Sequence, residues 1–295
     1  MSNRLSSSTI FGLAVMWFVG GGIGPFLSHA AKSIDPINIV FIRAWGAALI
    51  LFIAVLVMAP KSFRKLKFDK SFVPIVISSM MYSPICSMTL AWSSSRVPGA
   101  ITALIYSTLP AMSIIFIAIK GQRPSPIAIS GVVVASVAVI FLIGAPQGSV
   151  QIAGIVGALI STFAWFAATE IWIKYESGYP LILAIFLQVF IGAIGTTLVH
   201  FFSHTESVTS KDLLNPSMIF LVVALASQYW AYLGISRRVS PALLTSFAFV
   251  NPLVAGVIGF FAFDQHLGPV QLIAGAILLV GIYLVVKSET ASLDR

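Results

Sequence analysis

What most limits the fold of this chain is a succession of apolar runs, each about as long as a bilayer is thick, with short polar stretches between them. About 20 apolar residues in a helix cross the hydrocarbon core. Ten runs qualify: Ile10–Ala31, Ile37–Met58, Phe72–Trp92, Gly99–Ile119, Pro126–Gly144, Ile152–Ile173, Leu181–Phe201, Ser217–Ser236, Ser240–Phe263 and Pro269–Val286. The connecting stretches are too short to hold a soluble domain. Only 9% of the residues are charged and 58% are hydrophobic, where a soluble domain carries about 25% charged residues. The expected fold class is an all-α integral membrane protein with ten transmembrane helices.

Internal repetition narrows this further, and missing it would misassign the fold. Arg238–Leu253, RVSPALLTSFAFVNPL, repeats Arg96–Ala111, RVPGAITALIYSTLPA, at an offset of 238 − 96 = 142 residues. Under that shift Arg96, Val97, Ala100 and Pro110 fall on Arg238, Val239, Ala242 and Pro252, and Lys32 falls on Lys174. Apolar runs start and stop in step across the two halves. The polar linker Ala145–Gln151 (APQGSVQ) is suited to a joint. Two five-helix repeats are expected, residues 1–148 and 149–295.

Lysine and arginine set the orientation. With the N-terminus in the cytoplasm, thirteen of them fall inside (Arg4, Lys61, Arg64, Lys65, Lys67, Lys70, Lys120, Arg123, Lys174, Arg237, Arg238, Lys287 and Arg295) and three outside (Lys32, Arg96 and Lys211). That asymmetry places both termini in the cytoplasm. Five spans per half is an odd number, so the second repeat enters the membrane inverted, a plan common among secondary transporters.

The net charge of +8 lies in short loops between apolar runs, a topology signal rather than a nucleic-acid face. One cysteine, Cys86, excludes a disulfide framework and a multi-cysteine metal site, and reads first as a small buried residue. No GxxxxGK[ST] motif is present for ATP hydrolysis. The four histidines, His29, His200, His204 and His266, are scattered toward span ends and loops and form no catalytic set. No metal, cofactor or catalytic residue is expected.

The C-terminal stretch FVNPLVAGVIGFFAFDQHLGPVQLIAGAILLVGIYLV and the arginine of FIRAWGAALIL, Arg43, resemble the drug/metabolite transporter superfamily in its ten-helix, EamA-type branch. The resemblance covers essentially the whole chain and implies a membrane transporter of two five-helix repeats. One position departs from the family pattern: its usual Gly-Glu is Phe263-Asp264 here, and Gly121-Gln122 in the first half.

Candidate site residues follow from interrupted and polar spans. Interrupted helices at corresponding places of two halves are a pointer to a transporter site, and Pro110 and Pro252 form such a pair. Pro84, beside Tyr82, and Asn251, beside Pro252, extend it. Trp17, Gly21, Gly24 and Ser28 share one face of the first span, either a cavity wall or a close-packing face. Thr102, Tyr106, Pro110 and Ser113 share a face in the fourth span, and Gln228, Tyr232 and Ser236 in the eighth. Gln188, Gly192 and Gly195 form a small-polar stripe in the seventh. These faces should look into the bundle, as binding groups or as interhelical hydrogen bonds. Trp92 and Trp172 read as interface-belt residues. Trp17, Trp165, Tyr82, Tyr106 and Trp230 lie too deep for a belt, and rings there suit an aromatic metabolite or a cation. The expected substrate-binding set is Trp17, Gly21, Tyr82, Tyr106, Pro110, Trp165, Gln228, Tyr232 and Asn251.

Two ionisable residues within spans are candidates for coupling or charge pairing. Arg43 is close enough to a span end to snorkel, and reads as a structural pair or a carboxylate-binding group. Glu170 has Lys174 one turn on, in the Glu-before-Lys order of a helix pair. An unpaired Glu170 could instead carry a coupling proton.

The expected function is a secondary active transporter of a bacterial inner membrane. It would export a small organic metabolite, such as an amino acid or related compound, by alternating access. A proton or a counter-substrate is the expected coupling partner, and the carrier is a monomer or homodimer in the lipid bilayer. The rival classes are an intramembrane enzyme and a non-transporting scaffold, both separable by solute flux.

Overall fold

Two of the apolar runs begin with the same local device. Asp35 accepts a 2.8 Å hydrogen bond from Ile37 N with Pro36 in the first helical turn, and Asn215 accepts one of 2.9 Å from Ser217 N with Pro216 there. The side chain satisfies a donor that has no intrahelical partner, and proline has no N–H to leave orphaned. Helix stops recur as well. Gly121, just past one helix, has φ +80°, and Asp264, just past another, has φ +52°. A left-handed residue at that place turns the chain out of the helix. Glycine adopts it freely and aspartate is one of the few others that tolerate it.

The protein is described from a computed structural model covering residues 7–66, 69–119, 121, 123–144, 151–175, 178–203, 205–236 and 247–293. Among these residues all regular structure is helical. The helices are α1 (Ser7–Ala30), α2 (Pro36–Met58), α3 (Phe72–Ser94), α4 (Gly99–Tyr106), α5 (Leu109–Ile119), α6 (Pro126–Gly144), α7 (Ile152–Lys174), α8 (Leu181–Phe202), α9 (Pro216–Ile235), α10 (Phe247–Phe263) and α11 (Pro269–Leu293). Six of them, α1, α2, α3, α7, α8 and α9, are long and apolar enough to cross a membrane. Large apolar side chains face outward over much of the surface, as with Phe261 (80% exposed) and Val57 (76%). A water-soluble monomer does not expose apolar surface on this scale. This is a membrane protein.

Two departures from regular helix bear on the site. The expected fourth span is divided at Ser107–Thr108 into α4 and α5. Pro110 cannot donate to the carbonyl four residues back, and the hydroxyls of Ser107 and Thr108 turn onto the Ala103 and Ile105 carbonyls (3.0 and 2.7 Å). Its expected counterpart, Pro252, lies inside α10 without a break. In α1 and α3 the hydrogen bonding widens to π-helix over Val15–Val19 and Met81–Ser87, the latter containing Pro84. Residues 237–246, which hold most of the second copy of the repeated stretch, and residues 145–150 of the linker lie outside the described residues.

Helices before the linker pack chiefly on helices after it. α1 lies on α9 and α10, α2 on α8 and α9, α3 on α7 and α8, α4 on α7 and α10, and α6 on α11. Exchange α1 with α7, α2 with α8, α3 with α9, α4 with α10 and α6 with α11, and these pairings map onto themselves. Close approach depends on small residues, since lipid removes the hydrophobic drive between helices. A Cβ on Gly281 of α11 would lie 2.6 Å from Ala135 N of α6, and one on Gly192 of α8 would lie 2.6 Å from Ser83 Cβ of α3. The closest crossing is between α1 and α4, where Gly24 and Gly99 meet backbone to backbone.

Candidate functional site

A cleft opens where helices of both halves converge. Its empty space amounts to about 850 Å³ with the open mouth included. Its wall is formed by Met16, Gly20, Ile23 and Gly24 of α1, Arg43 of α2, Cys86, Ser87 and Leu90 of α3, and Thr102, Ala103, Tyr106 and Ser107 at the end of α4. The later helices add Trp165 of α7, Leu225, Gln228, Tyr229 and Tyr232 of α9, and Phe247 and Asn251 of α10.

Aromatic rings make up much of the wall and hold one another. Trp165 meets Tyr82 edge-on at 5.0 Å and Tyr106 at 6.2 Å, and lies tilted against Tyr232 at 5.4 Å between centroids. Tyr82 contacts Tyr229 at 5.4 Å, and Tyr232 contacts Phe247 at 6.2 Å. Edge-to-face pairs at these separations add to the stabilisation from burial and fix ring orientation. The phenols are anchored too. Tyr82 Oη lies 2.7 Å from Thr169 Oγ1, and Tyr106 Oη hydrogen-bonds Ser161 Oγ and lies 3.2 Å from Cys86 Sγ.

The amides sit where α1 is irregular. Oriented so that its nitrogen donates, Asn251 bonds the Trp17 and Met16 carbonyls at 2.9 and 3.0 Å. Both carbonyls belong to the π-helical turn. Gly20 leaves room beside it, since a Cβ there would overlap the Gln228 amide and approach the end of the Asn251 amide to 3.1 Å.

Charge is sparse. Arg43 is buried (3% exposed), and its Nε and Nη1 find no hydrogen-bond acceptor. It does not snorkel: its helix runs on from Pro36, and the side chain turns into the bundle. The Trp165 indole N–H makes no hydrogen bond of good geometry, although the Tyr232 hydroxyl is near. Glu170 borders Tyr232 without lining the cleft. Lys174, its expected partner, is exposed, with its ammonium 5.2 Å from the Tyr175 ring centroid. Among the described residues no group of three or more His, Cys, Asp or Glu could hold a metal ion.

Of the residues singled out in the sequence, Tyr106, Trp165, Gln228, Tyr232, Asn251 and Arg43 come together on this wall. Tyr82 stands behind Trp165 as its support. Trp17 contributes its carbonyl and does not line the cleft, and Gly21 packs against Val254 of α10. Pro110 starts α5, and its side chain lies outside the described residues. The seventh-span stripe is a packing face, with Gln188 Oε1 accepting from Ser78 Oγ at 2.9 Å and Gly195 against Met80 and Pro84. Trp172 is buried in the core rather than at an interface. Tyr229, Cys86 and Gly20 line the wall without having been singled out as binding residues; the signal for Tyr229 was its i+4 spacing from Leu225 on the inward face of α9.

Residues 7–144 match the model of the EamA-like transporter family. No curated protein matches the chain. One solved crystal structure, of a protein with no further description, superposes with a TM-score of 0.65 at 14% identity, covering 96% of this chain and 98% of that one. At that identity the likeness is one of fold. The resemblance to the drug/metabolite transporter superfamily thus holds over residues 7–144, where the chain matches the EamA-like transporter family.

Proposed function

We propose that the protein is a secondary active transporter that binds a small organic metabolite, such as an amino acid or related compound, in the cleft between two inverted five-helix repeats. The observation that carries this reading is the cleft wall itself: aromatic and amide side chains of both halves converge beside irregular stretches of α1, α3 and α4. Backbone of that kind is tolerated at membrane depth only where it meets protein or a cavity. The exchange symmetry of the helix pairings supports repeats of residues 1–148 and 149–295, and so supports counting α4 with α5 as one of ten spans. Rocking one repeat against the other would alternate access to the cleft. The substrate-binding set in this reading is Tyr106, Trp165, Gln228, Tyr232 and Asn251, with Tyr82 as support.

Export, location in a bacterial inner membrane and a monomeric or homodimeric carrier complete the proposal. Coupling is to a proton or a counter-substrate, with Glu170 as the carboxyl to test by Glu170→Gln under an imposed pH gradient.

Orientation follows from the lysine and arginine asymmetry, with both termini in the cytoplasm. In a Cys86→Ala background, Thr209→Cys should react with an impermeant thiol reagent on intact cells and Lys65→Cys should not. The opposite labelling would invert the proposed topology.

A further inference from the structure

Arg43 is the feature that the transport reading leaves unexplained. It forms part of the cleft wall, yet its Nε and Nη1 have no acceptor, and no carboxylate among the described residues pairs with it. Its electrostatic neighbours are the uncharged groups Tyr229, Cys86 and Tyr106. A buried cation without a partner is costly, and intramembrane charges that persist mark functional sites. A lysine could shed its proton there, whereas arginine holds it and presents a flat array of donors matched to an oxyanion. Trp165 adds a second donor without a well-placed acceptor, from a helix of the other half. No Asp or Glu is among the described lining residues. Among the described residues the wall therefore offers one positive charge and no carboxylate to counter a substrate's ammonium.

We infer that the cleft takes an organic monocarboxylate, its oxyanion on the Arg43 guanidinium and the Trp165 indole N–H, and its apolar or aromatic body among Tyr106, Tyr229 and Tyr232. This rests on the reading of the cleft as the substrate site, and narrows it. Cations are excluded by the unpaired guanidinium. A zwitterion fits less well, because its ammonium would lie beside the guanidinium with no carboxylate to counter it. One guanidinium neutralises one negative charge, which favours a carboxylate over a phosphate dianion.

The test uses detergent-purified full chain and five probes that share one ring: phenylacetate, phenylacetamide, phenethylamine, phenylalanine and phenyl phosphate. Binding is read by unfolding temperature and tryptophan fluorescence. Phenylacetate should bind, the amide about 10-fold more weakly or worse, and the amine not at all. Arg43→Gln should weaken phenylacetate by about 10- to 100-fold and leave the amide unchanged. Without ligand, Arg43→Gln should unfold at no lower a temperature than the wild type, because it removes an unpaired buried charge.

Amide or amine binding as tight as the carboxylate overturns the inference, as does phenyl phosphate binding more tightly. So does undiminished phenylacetate affinity in Arg43→Gln, or an unliganded variant much less stable than the wild type, which would make Arg43 structural. If uncharged or cationic probes win and Trp165→Ala weakens them, the cleft remains the substrate site and only the anion assignment falls. If no probe binds, the anion assignment fails with this set.

Discussion

Gly99→Ala is expected to destabilise the folded bundle by about 3 kcal/mol, the upper end for overpacking, and Gly99→Val to prevent its assembly. The reason is local. A Cβ at Gly99, in the first turn of α4, would overlap the backbone of Gly24 and Pro25 in α1. A flexible side chain could swing aside, but main chain cannot, so α1 and α4 would have to separate. Separation would also strain the bonds that tie this crossing to the α10–α11 loop, where Gln265 Oε1 accepts from Gly99 N at 3.1 Å and Gln265 Nε2 donates to the Pro25 carbonyl at 3.5 Å. Gly256→Ala is the control. Nothing lies within 4 Å of its Cβ position, and helix propensity favours alanine there by up to about 1 kcal/mol. Unfolding temperatures of the purified variants check both. A Gly99→Ala protein as stable as the wild type would show that α1 and α4 can part without cost.

Trp165→Ala is expected to weaken substrate binding by about 2 kcal/mol, roughly 30-fold, while the protein still folds. Trp165 is half-buried on the cleft wall and orients three tyrosines around it. Removing the indole takes away a stacking surface and an N–H donor, and leaves Tyr82, Tyr106 and Tyr232 without the ring they pack on. Trp165→Phe keeps the packing and loses the donor, so its effect should be smaller for uncharged ligands than for anions. Trp230→Ala supplies the comparison, because Trp230 packs on Phe11 at 6.1 Å and does not line the cleft. Equal affinity losses at Trp165 and Trp230, read from flux or ligand-induced stabilisation, would mean that the cleft has no special role.

Much of the helical framework can be read directly from the residues. Caps such as Asp35-Pro36 and Asn215-Pro216 and runs of apolar side chains are local signals, and helix ends at Met58 and Gly144 fall where the polarity changes. Facing is harder. A period of 3.6 residues puts Trp17 and Gly21 on one inward stripe, but the π-helical turn at Val15–Val19 rotates the two flanking parts of α1 relative to each other. The wall of α1 consists of Met16, Gly20, Ile23 and Gly24, a stripe about one residue round from the expected one, and Gly21 turns to α10. Within the widened turn Met81–Ser87, Cys86 and Ser87 reach the wall and Tyr82 lies behind Trp165. In α4, which is regular up to Tyr106, the stripe Thr102–Tyr106 faces the cleft as the spacing predicts. Partners across the bundle lie beyond local sequence altogether. Arg43 invited a structural pair, and only the packing of α2 against α8 and α9 reveals that none lies within reach among the described residues.

A cleft reached in turn from either side of the membrane can be tested with the chain's one cysteine, Cys86. Cys86 is buried in the cleft wall (2% exposed) beside Tyr106 and Ser161. In proteoliposomes with the wild-type chain, a small membrane-impermeant thiol reagent should reach Cys86 slowly when added outside, and also when trapped inside. Phenylacetate should slow both reactions. Reaction from one side only, whatever the ligand, would contradict an alternating site at this place, as would equal rates with and without a probe shown to bind the purified chain.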